Sequence, residues 1–207
     1  MKRTILIIMM ILSVASVNAQ SYKETFDSNS LQWTECAFNN DEGKSYIEEG
    51  AMHLMSYSKT RVGMYSFYKT YTFFETHCYA PIDPVKPFEI ISNVEVKSIT
   101  KENEVGVVFN YRDVGNFYSF SFNKESITFT RYEDNEVVGY IRNGIKWGKR
   151  WNASMQWKLV YDGDQIIFEI DGARIMTIRY MPLSYSGFGY YSYGNQSLTI
   201  QDVEFIQ

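Results

Sequence analysis

The sequence predicts an all-β fold, a two-sheet antiparallel sandwich, on three observations. Short segments of alternating apolar and polar residues recur about every ten residues. These segments are rich in aromatic and β-branched residues, and Gly, Asn or Asp separates them, as expected for strands joined by tight turns. After Phe88 no window of about eleven residues keeps a helical period. Such a pattern is typical of a sandwich, and a regular up-and-down barrel is the alternative.

The N-terminus has the pattern of a secretory signal peptide. Lys2 and Arg3 form a basic start, residues 5–17 are apolar, and small residues at 17 and 19 suit cleavage after Ala19. The apolar run of roughly 13 residues is shorter than the roughly 20 that a membrane-spanning helix needs. We therefore expect a bacterial protein exported to the periplasm or the exterior, with a signal peptide over residues 1–19 and one domain over residues 20–207.

The strands can be predicted along the chain. Residues 22–26 and 51–57 are expected strands, and residues 61–80 are expected to hold one or two more. Prolines then indicate a loop that leads into a strand at Phe88. The last segment changes phase near Gln201, which predicts a β-bulge there. From Phe88 onward the predicted strands are 88–99, 104–113, 116–123, 126–134, 136–144, 155–163, 165–172, 173–180, 187–194 and 198–206.

The segment 162–175, DGDQIIFEIDGARI, requires a choice between a calcium loop and two turns. An EF-hand loop needs an oxygen ligand at its fifth position and glycine at its sixth, whereas these positions hold Ile166 and Ile167. The Asp-Gly dipeptides at 162–163 and 171–172 favour tight turns, because glycine tolerates positive φ. The segment therefore predicts a meander of three consecutive strands.

Composition limits the chemistry that the chain could perform. The formal net charge is −4, and removal of the leader makes the chain more acidic, which argues against nucleic acid as a partner. Cys36 and Cys78 could form a disulfide in an oxidising compartment, and two unpaired buried thiols are the alternative. Together with His53 and His77 they lack the spacing of zinc ligands. There is no G-x-S-x-G elbow and no glycine-rich phosphate loop, so no cofactor is expected.

Four segments resemble the concanavalin A-like jelly rolls of exported proteins, a class that includes laminin-G-like and keto-disaccharide-hydrolase-like modules. In chain order they are ETFDSNSLQWTE, EVGVVFNYRDVGNFYSFSFN, GKRWNASMQWKLVYDGDQIIFEIDGARIMTI and SYSGFGYYSYGNQSLTIQDVEFIQ. Each motif mostly encodes a hairpin, but together they span about residues 22–207 in the family's order. The resemblance implies a jelly-roll sandwich.

Two residue sets of this family can be compared with the chain. Laminarinase-like hydrolases carry E-x-D-x-x-E on one strand, because retaining hydrolysis needs two carboxyls about 5 Å apart. Here Glu169 and Asp171 match the start, but Arg174 replaces the final glutamate, so no catalytic residue is assigned. In some relatives a calcium ion bridges the terminal strands. By resemblance, Asp27 and Asp202 are the positions that could bind a structural Ca²⁺ here.

The resemblance also indicates a glycan-binding face. Sugar recognition needs flat aromatic faces together with polar or charged groups, and the chain has 17 Tyr and 4 Trp. The candidate ligand-binding residues are Tyr111, Arg112, Tyr118, Arg131, Arg142, Trp147 and Trp151. Strand alternation divides them, because Arg131 shares a face with Phe129 whereas Tyr132 lies on the opposite face.

The first functional hypothesis is therefore a secreted, non-catalytic, lectin-like glycan-binding module. Two alternatives stay open. A protein-binding inhibitor or immunity-type periplasmic protein would use the acidic surface to attract a basic partner. A divergent glycoside hydrolase would use carboxylates that the sequence does not pair.

Overall fold

A computed structural model describes residues 20–207 except 41–42, 63–66, 72, 98, 147–152 and 180. For 36–40, 58–62, 67–71 and 73–74 the backbone alone is described. The predicted signal peptide and the candidates Trp147 and Trp151 lie outside the described residues.

The described chain consists of strands joined by turns and loops. Each predicted segment after Phe88 contains one strand, β8 to β17. Before Phe88, β2 and β3 were not predicted, and residues 58–79 hold three strands. The strands are β1 Ser21–Glu24, β2 Cys36–Asn40, β3 Gly43–Glu48, β4 Ala51–Ser56, β5 Ser58–Val62, β6 Phe67–Tyr71, β7 Phe73–Tyr79, β8 Phe88–Val96, β9 Glu104–Asp113, β10 Asn116–Phe122, β11 Ser126–Glu133, β12 Glu136–Gly144, β13 Ser154–Tyr161, β14 Gln165–Ile170, β15 Ala173–Arg179, β16 Gly187–Tyr193 and β17 Gln196–Ile206.

The strands form two main sheets and one ribbon. The large sheet has nine strands in the order β15-β14-β13-β8-β17-β4-β3-β2, with β1 paired to β17. The small sheet has six strands in the order β12-β11-β10-β9-β16-β7, and β5 and β6 form a separate ribbon. All pairings are antiparallel, as the predicted sandwich requires. Because the two main sheets are separate, the up-and-down barrel alternative was wrong.

The turns and the bulge lie where the sequence places them. Gly163 and Gly172 have φ of 99° and 74°, and Asp171 precedes Gly172 with φ of 50°. Strands β13, β14 and β15 pair consecutively, which confirms the meander. The register between β17 and β8 shifts between Ile200 and Asp202, which confirms the bulge at Gln201.

The hydrophobic core lies between the two main sheets. The Phe120 ring of the small sheet stacks on Phe168 of the large sheet, with 5.5 Å between centroids. Trp157 and Tyr190 are 1% and 0% exposed. The core therefore takes up much of the aromatic content that suggested ligand binding.

A second, smaller cluster covers the other face of the small sheet. Its members are Val108, Tyr111, Phe117 and Tyr191, with Tyr132 and Tyr193 packed against them. Val107 and Phe109 belong to the main core, so Val108 between them must point to the outer face. Among the described residues, no helix has the length and apolar character to cross a membrane.

Candidate functional site

A pocket of about 370 Å³ opens at one end of the small sheet. We call it the arginine–tyrosine pocket. Its walls come from the β9–β10 hairpin, the β11–β12 hairpin and the segment 182–185. Its lining includes Asn110, Arg112, Tyr118, Arg131, Glu133 and Tyr185.

One wall of the pocket is a cation held over a phenol ring. Tyr118 on β10 and Arg131 on β11 are direct cross-strand partners, and the guanidinium carbon lies 5.6 Å from the ring centroid. Arg131 Nε donates to Glu133 Oε1 over 2.7 Å, and Nη2 donates to the same oxygen. This hydrogen bond to Glu133 raises the pKa of Arg131, and burial raises the pKa of Tyr118. Both groups therefore keep their protons at neutral pH.

The opposite wall depends on Asn110. This residue has φ of 48° inside β9, a conformation in which Asn is several-fold enriched. Its Oδ1 accepts the backbone N–H groups of Ser184 and Tyr185 over 2.7 and 2.9 Å. The Tyr185 ring is thereby held at the pocket, 42% exposed, with the Arg112 guanidinium carbon 6.0 Å from its centroid.

Each arginine of the pocket is paired with a carboxylate. Arg112 Nε lies 3.4 Å from Asp113 Oδ2, and Arg131 is paired with Glu133. Hydrogen bonds from Asn116 Nδ2 and from the Gly115 N–H lower the pKa of Asp113, so this carboxylate stays ionised. The pocket therefore offers planar hydrogen-bond donors, carboxylate acceptors and an exposed ring without a large excess of either charge.

The structure brings together three of the seven predicted ligand residues, namely Arg112, Tyr118 and Arg131. It also confirms that Arg131 and Tyr132 lie on opposite faces, since Phe129 is in the main core and Tyr132 packs on the outer cluster. Tyr118 is 4% exposed, so it forms a wall of the pocket and not an open stacking surface.

Of the other candidates, Tyr111 and Arg142 lie elsewhere. Tyr111 is 4% exposed and its hydroxyl donates to Glu75 Oε1 over 2.9 Å, on the outer face of the small sheet. Arg142 is an exposed residue of β12 whose Nε donates to Ser126 Oγ over 3.0 Å. Strand alternation cannot show which loop covers which strand end, and this is why the five candidates within the described residues separate.

A polar cluster on β7 was not predicted. Glu75 Oε2 lies 2.9 Å from His77 Nδ1, and the His77 ring stacks on Tyr111 at 4.0 Å between centroids. Burial, followed by the neighbouring Glu75, raises the pKa of Tyr111. The E-x-H spacing on an alternating strand places both side chains on one face and could have signalled the cluster.

Glu169 and Asp171, which match the start of the laminarinase-like motif, make contacts that stabilise a hairpin and a turn. Glu169 pairs across the β14–β15 hairpin with Arg174, whose Nε is 3.9 Å from the Glu169 carboxylate. Asp171 lies in the turn, where its Oδ1 accepts the N–H of Gln156 over 2.8 Å. Neither carboxylate faces a partner acid in these contacts.

The two carboxylates assigned to calcium by resemblance do not fit the ion. Asp202 Oδ1 accepts a hydrogen bond from Asn93 Nδ2, and Oδ2 lies 3.1 Å from the Lys23 ammonium. Asp27 accepts instead from Thr25 Oγ1 over 2.8 Å. Calcium takes six to eight oxygen ligands, and a neighbouring ammonium would repel it. No group of three or more His, Cys, Asp or Glu side chains that could hold a metal occurs in the part of the chain that the structure describes.

The disulfide between Cys36 and Cys78 stays a prediction. The Cys78 thiol is free and buried in the core, and burial raises its pKa strongly. The side chain of Cys36 is outside the described part of the structure.

No protein-family model matches the chain, and no curated protein is similar to it in sequence. Solved structures share its fold at low identity. The catalytic domain of an endo-1,3-β-glucanase (laminarinase) from Thermotoga petrophila RKU-1 is 10% identical, with a TM-score of 0.60 over 92% of this chain and 98% of that one. The Bacillus licheniformis β-glucanase is 12% identical, with a TM-score of 0.56 over 89% and 97%. The CBM2 module of the evolved Dit of Lactobacillus casei BL23 phage J-1 is 14% identical, with a TM-score of 0.56 over 92% and 97%. These similarities confirm the concanavalin A-like jelly-roll fold.

Proposed function

We propose that this chain is a glycan-binding domain and that the arginine–tyrosine pocket is its binding site. The observation that carries the proposal is the convergence of Arg112, Arg131 and Tyr118 from the strands with Tyr185 from the loop. Ligand pockets in proteins commonly occupy about 300–1,000 Å³ and combine aromatic walls with a few oriented polar groups. The volume of this pocket agrees with that description, and its lining is more polar than that of most ligand pockets, which suits a hydroxyl-rich ligand.

The chemistry of the pocket suits a neutral sugar. A hydroxyl-rich ring presents apolar C–H groups to an aromatic face and hydroxyls at its rim. Tyr185 offers the exposed face, while the guanidinium groups of Arg112 and Arg131 donate and Glu133 accepts. A phosphate or sulfate would instead favour arginines that are not paired with carboxylates.

The fold neighbours support a role connected with glycans without deciding between binding and catalysis. They include catalytic domains named laminarinase and β-glucanase and also a CBM2 module. The signal peptide predicted for residues 1–19 would bring the domain to the periplasm or the exterior, where such a module would meet polysaccharide. Nothing in the comparisons supports the protein-binding inhibitor that was one alternative.

Binding should be measured by glycan array, followed by calorimetry with β-1,3-glucan oligosaccharides as the first probe. Tyr185→Ala and Arg112→Ala should each lower the affinity roughly tenfold or more, since each removes one wall of the pocket. Tyr46→Ala is the matched control, because Tyr46 also carries a cation, Lys44 at 4.8 Å, but lies on the large sheet. It should leave the affinity unchanged.

Two outcomes would contradict the proposal. The folded chain could fail to bind any plant, host or microbial glycan on the array. Alternatively, Tyr185→Ala and Arg112→Ala could bind as tightly as the unsubstituted chain, which would place the site elsewhere.

A second candidate function, glycoside hydrolysis, is favoured by one observation. Glu75 and Glu104 lie on β7 and β9, the two neighbours of β16, and Tyr191 of β16 pairs with Glu75 and with Gly106. Tyr111 donates to Glu75, and Tyr191 donates to Glu104 over 3.1 Å. Release of reducing ends from β-1,3-glucan that disappears in both Glu75→Gln and Glu104→Gln would support this candidate. Release that persists in both variants would reject these carboxylates as its catalysts.

A further inference from the structure

Most of the exposed apolar side chains lie at one end of the sandwich. Among the described residues, eight large hydrophobic side chains are exposed, and six of them belong to loops, turns or strand ends at the end where β7 finishes and β16 begins. The other two, Tyr140 and Ile141, lie in the middle of β12. We call the six residues the apolar rim, and they are Tyr79, Val85, Val114, Val137, Val138 and Tyr185, at 42–66% exposure.

The strand pairing places the rim at this one end. Tyr79, the last residue of β7, pairs with Gly187, the first residue of β16. Gly187 also pairs with Tyr111, close to the end of β9. The turns at 113–116 and 133–136 lie at the same end, because β10 runs between β9 and β11 and is antiparallel to both.

Hydrogen bonds join the segments that carry the rim. The Ala80 N–H donates to the carbonyl oxygen of Ser186 over 3.0 Å, which connects the loop after β7 to the loop before β16. The Asn135 N–H donates to the carbonyl oxygen of Gly115 over 3.0 Å, which connects the tips of two hairpins. Tyr185 belongs both to the rim and to the lining of the arginine–tyrosine pocket. The polar pocket is therefore bordered by exposed apolar side chains.

The arrangement of the rim suits a bilayer surface better than a protein surface. The core of a protein interface is a closely packed patch depleted of charged residues, whereas Lys86, Asp113 and Glu136 directly adjoin rim valines in the sequence. Separate apolar side chains can enter the boundary between lipid headgroups and acyl chains, and the affinity grows with the apolar area that they bury. Tyrosine is enriched at this boundary, because its ring is apolar and its hydroxyl stays hydrated.

The charges at this end favour a neutral lipid. The Lys86 ammonium lies 3.2 Å from the Asp83 carboxylate, and the two arginines of the pocket are each paired with a carboxylate. Asp134 and Glu136 add negative charge. Anionic lipids attract clusters of Lys and Arg, whereas these three cations are already neutralised. An uncharged headgroup recognised by the pocket would therefore have to supply the specificity.

We propose that the glycan bound by the arginine–tyrosine pocket is the headgroup of a neutral glycolipid, and that the apolar rim contacts the bilayer around it. The inference rests on the proposed function of the pocket and adds where its glycan is anchored. The pocket holds the sugar, while the valines at the hairpin tips bury apolar surface in the lipid boundary.

The test compares one sugar in two forms. β-1,3-Glucotriose is offered free in solution, and also coupled to a dialkylglycerol in phosphatidylcholine vesicles. The unsubstituted chain should bind the anchored form roughly tenfold or more tightly than the free form, and it should not bind vesicles that lack the glycolipid. The variant Val114→Glu/Val138→Glu should lose this gain and keep its affinity for the free trisaccharide, because neither valine lines the pocket.

Tyr140→Glu/Ile141→Glu is the matched control, since it places the same two charges at exposed apolar positions of β12 outside the rim. It should keep the gain. The proposal is overturned if the free and anchored forms bind equally, which would leave the rim to a protein partner, or if Val114→Glu/Val138→Glu keeps the gain. Equal binding to vesicles without the glycolipid would also overturn it. If neither form of the sugar binds, the proposed function fails for this glycan, and the inference that rests on it fails as well.

Discussion

At the scale of single residues, Asn110 connects the backbone of the small sheet to the arginine–tyrosine pocket. One side-chain oxygen binds two consecutive N–H groups of the loop that carries Tyr185. The residue also adopts a positive φ that most side chains resist. Its contribution is therefore one of position, since it orders the loop on which an exposed ring lies.

Substitution of Asn110 tests its contribution to stability. Asn110→Ala should lower the free energy of unfolding by about 1–2 kcal/mol, because two N–H groups lose their acceptor and alanine is strained at positive φ. Asn110→Asp keeps the acceptor oxygen and tolerates that φ, so it should stay within about 0.5 kcal/mol of the unsubstituted chain. Urea unfolding measures both. Equal losses in the two variants would show that the oxygen is not what holds the loop.

Residue-level prediction from sequence succeeded where local alternation decides the answer. The opposite faces of Arg131 and Tyr132 follow from strand periodicity alone. The convergence of Arg131 and Tyr185 on one pocket does not, because it depends on a loop more than fifty residues further along the chain. The cluster of Glu75, His77 and Tyr111 was missed for a similar reason, since β7 reaches β9 only through β16.

At the scale of strands, Gly106 allows β9 and β10 to approach closely. A Cβ at this position would lie 1.9 Å from the carbonyl oxygen of Phe120, on the neighbouring strand. Gly172 is a useful contrast. Its φ is positive, but a Cβ there would meet no atom within 4 Å.

These two glycines should respond differently to alanine. Gly172→Ala should cost about 1–2 kcal/mol, the strain of an L-residue in the left-handed region. Gly106→Ala should cost more, on the order of 4 kcal/mol, because backbone must move in the middle of a sheet. Urea denaturation of the two variants under one set of conditions compares them. A smaller loss for Gly106→Ala than for Gly172→Ala would mean that the strands separate easily here.

The predictions at this scale were best for hairpins. Asp-Gly dipeptides located the turns of the β13–β15 meander, because few other residues accept the required φ. The loss of phase at Gln201 located the bulge for a similarly local reason. Strands β2 and β3 were missed, and the turn between β3 and β4 has Glu49 and Gly50 at positive φ, a weaker signal than Asp-Gly.

At the scale of the whole molecule, buried phenol groups tie stability to alkaline pH. Burial raises the pKa values of Tyr190 and Tyr191. The unfolded chain releases these protons near pH 10, whereas the folded chain retains them. Stability is therefore fully present below about pH 9 and is lost as the pH rises above it, by about 1.4 kcal/mol per pH unit for each group.

Tyr190→Phe tests this linkage at the most deeply buried phenol. Its hydroxyl lies 2.6 Å from Ser92 Oγ, so below pH 9 the variant should be less stable by a constant amount of about 1–2 kcal/mol. Above pH 10 the unsubstituted chain loses stability through Tyr190 and the variant does not. The difference between their free energies of unfolding should then shrink by about 1.4 kcal/mol per pH unit. Urea unfolding at pH 8, 9, 10 and 11 measures that difference, and a gap that stays constant to pH 11 would show that Tyr190 ionises as readily in the folded chain as in the unfolded one.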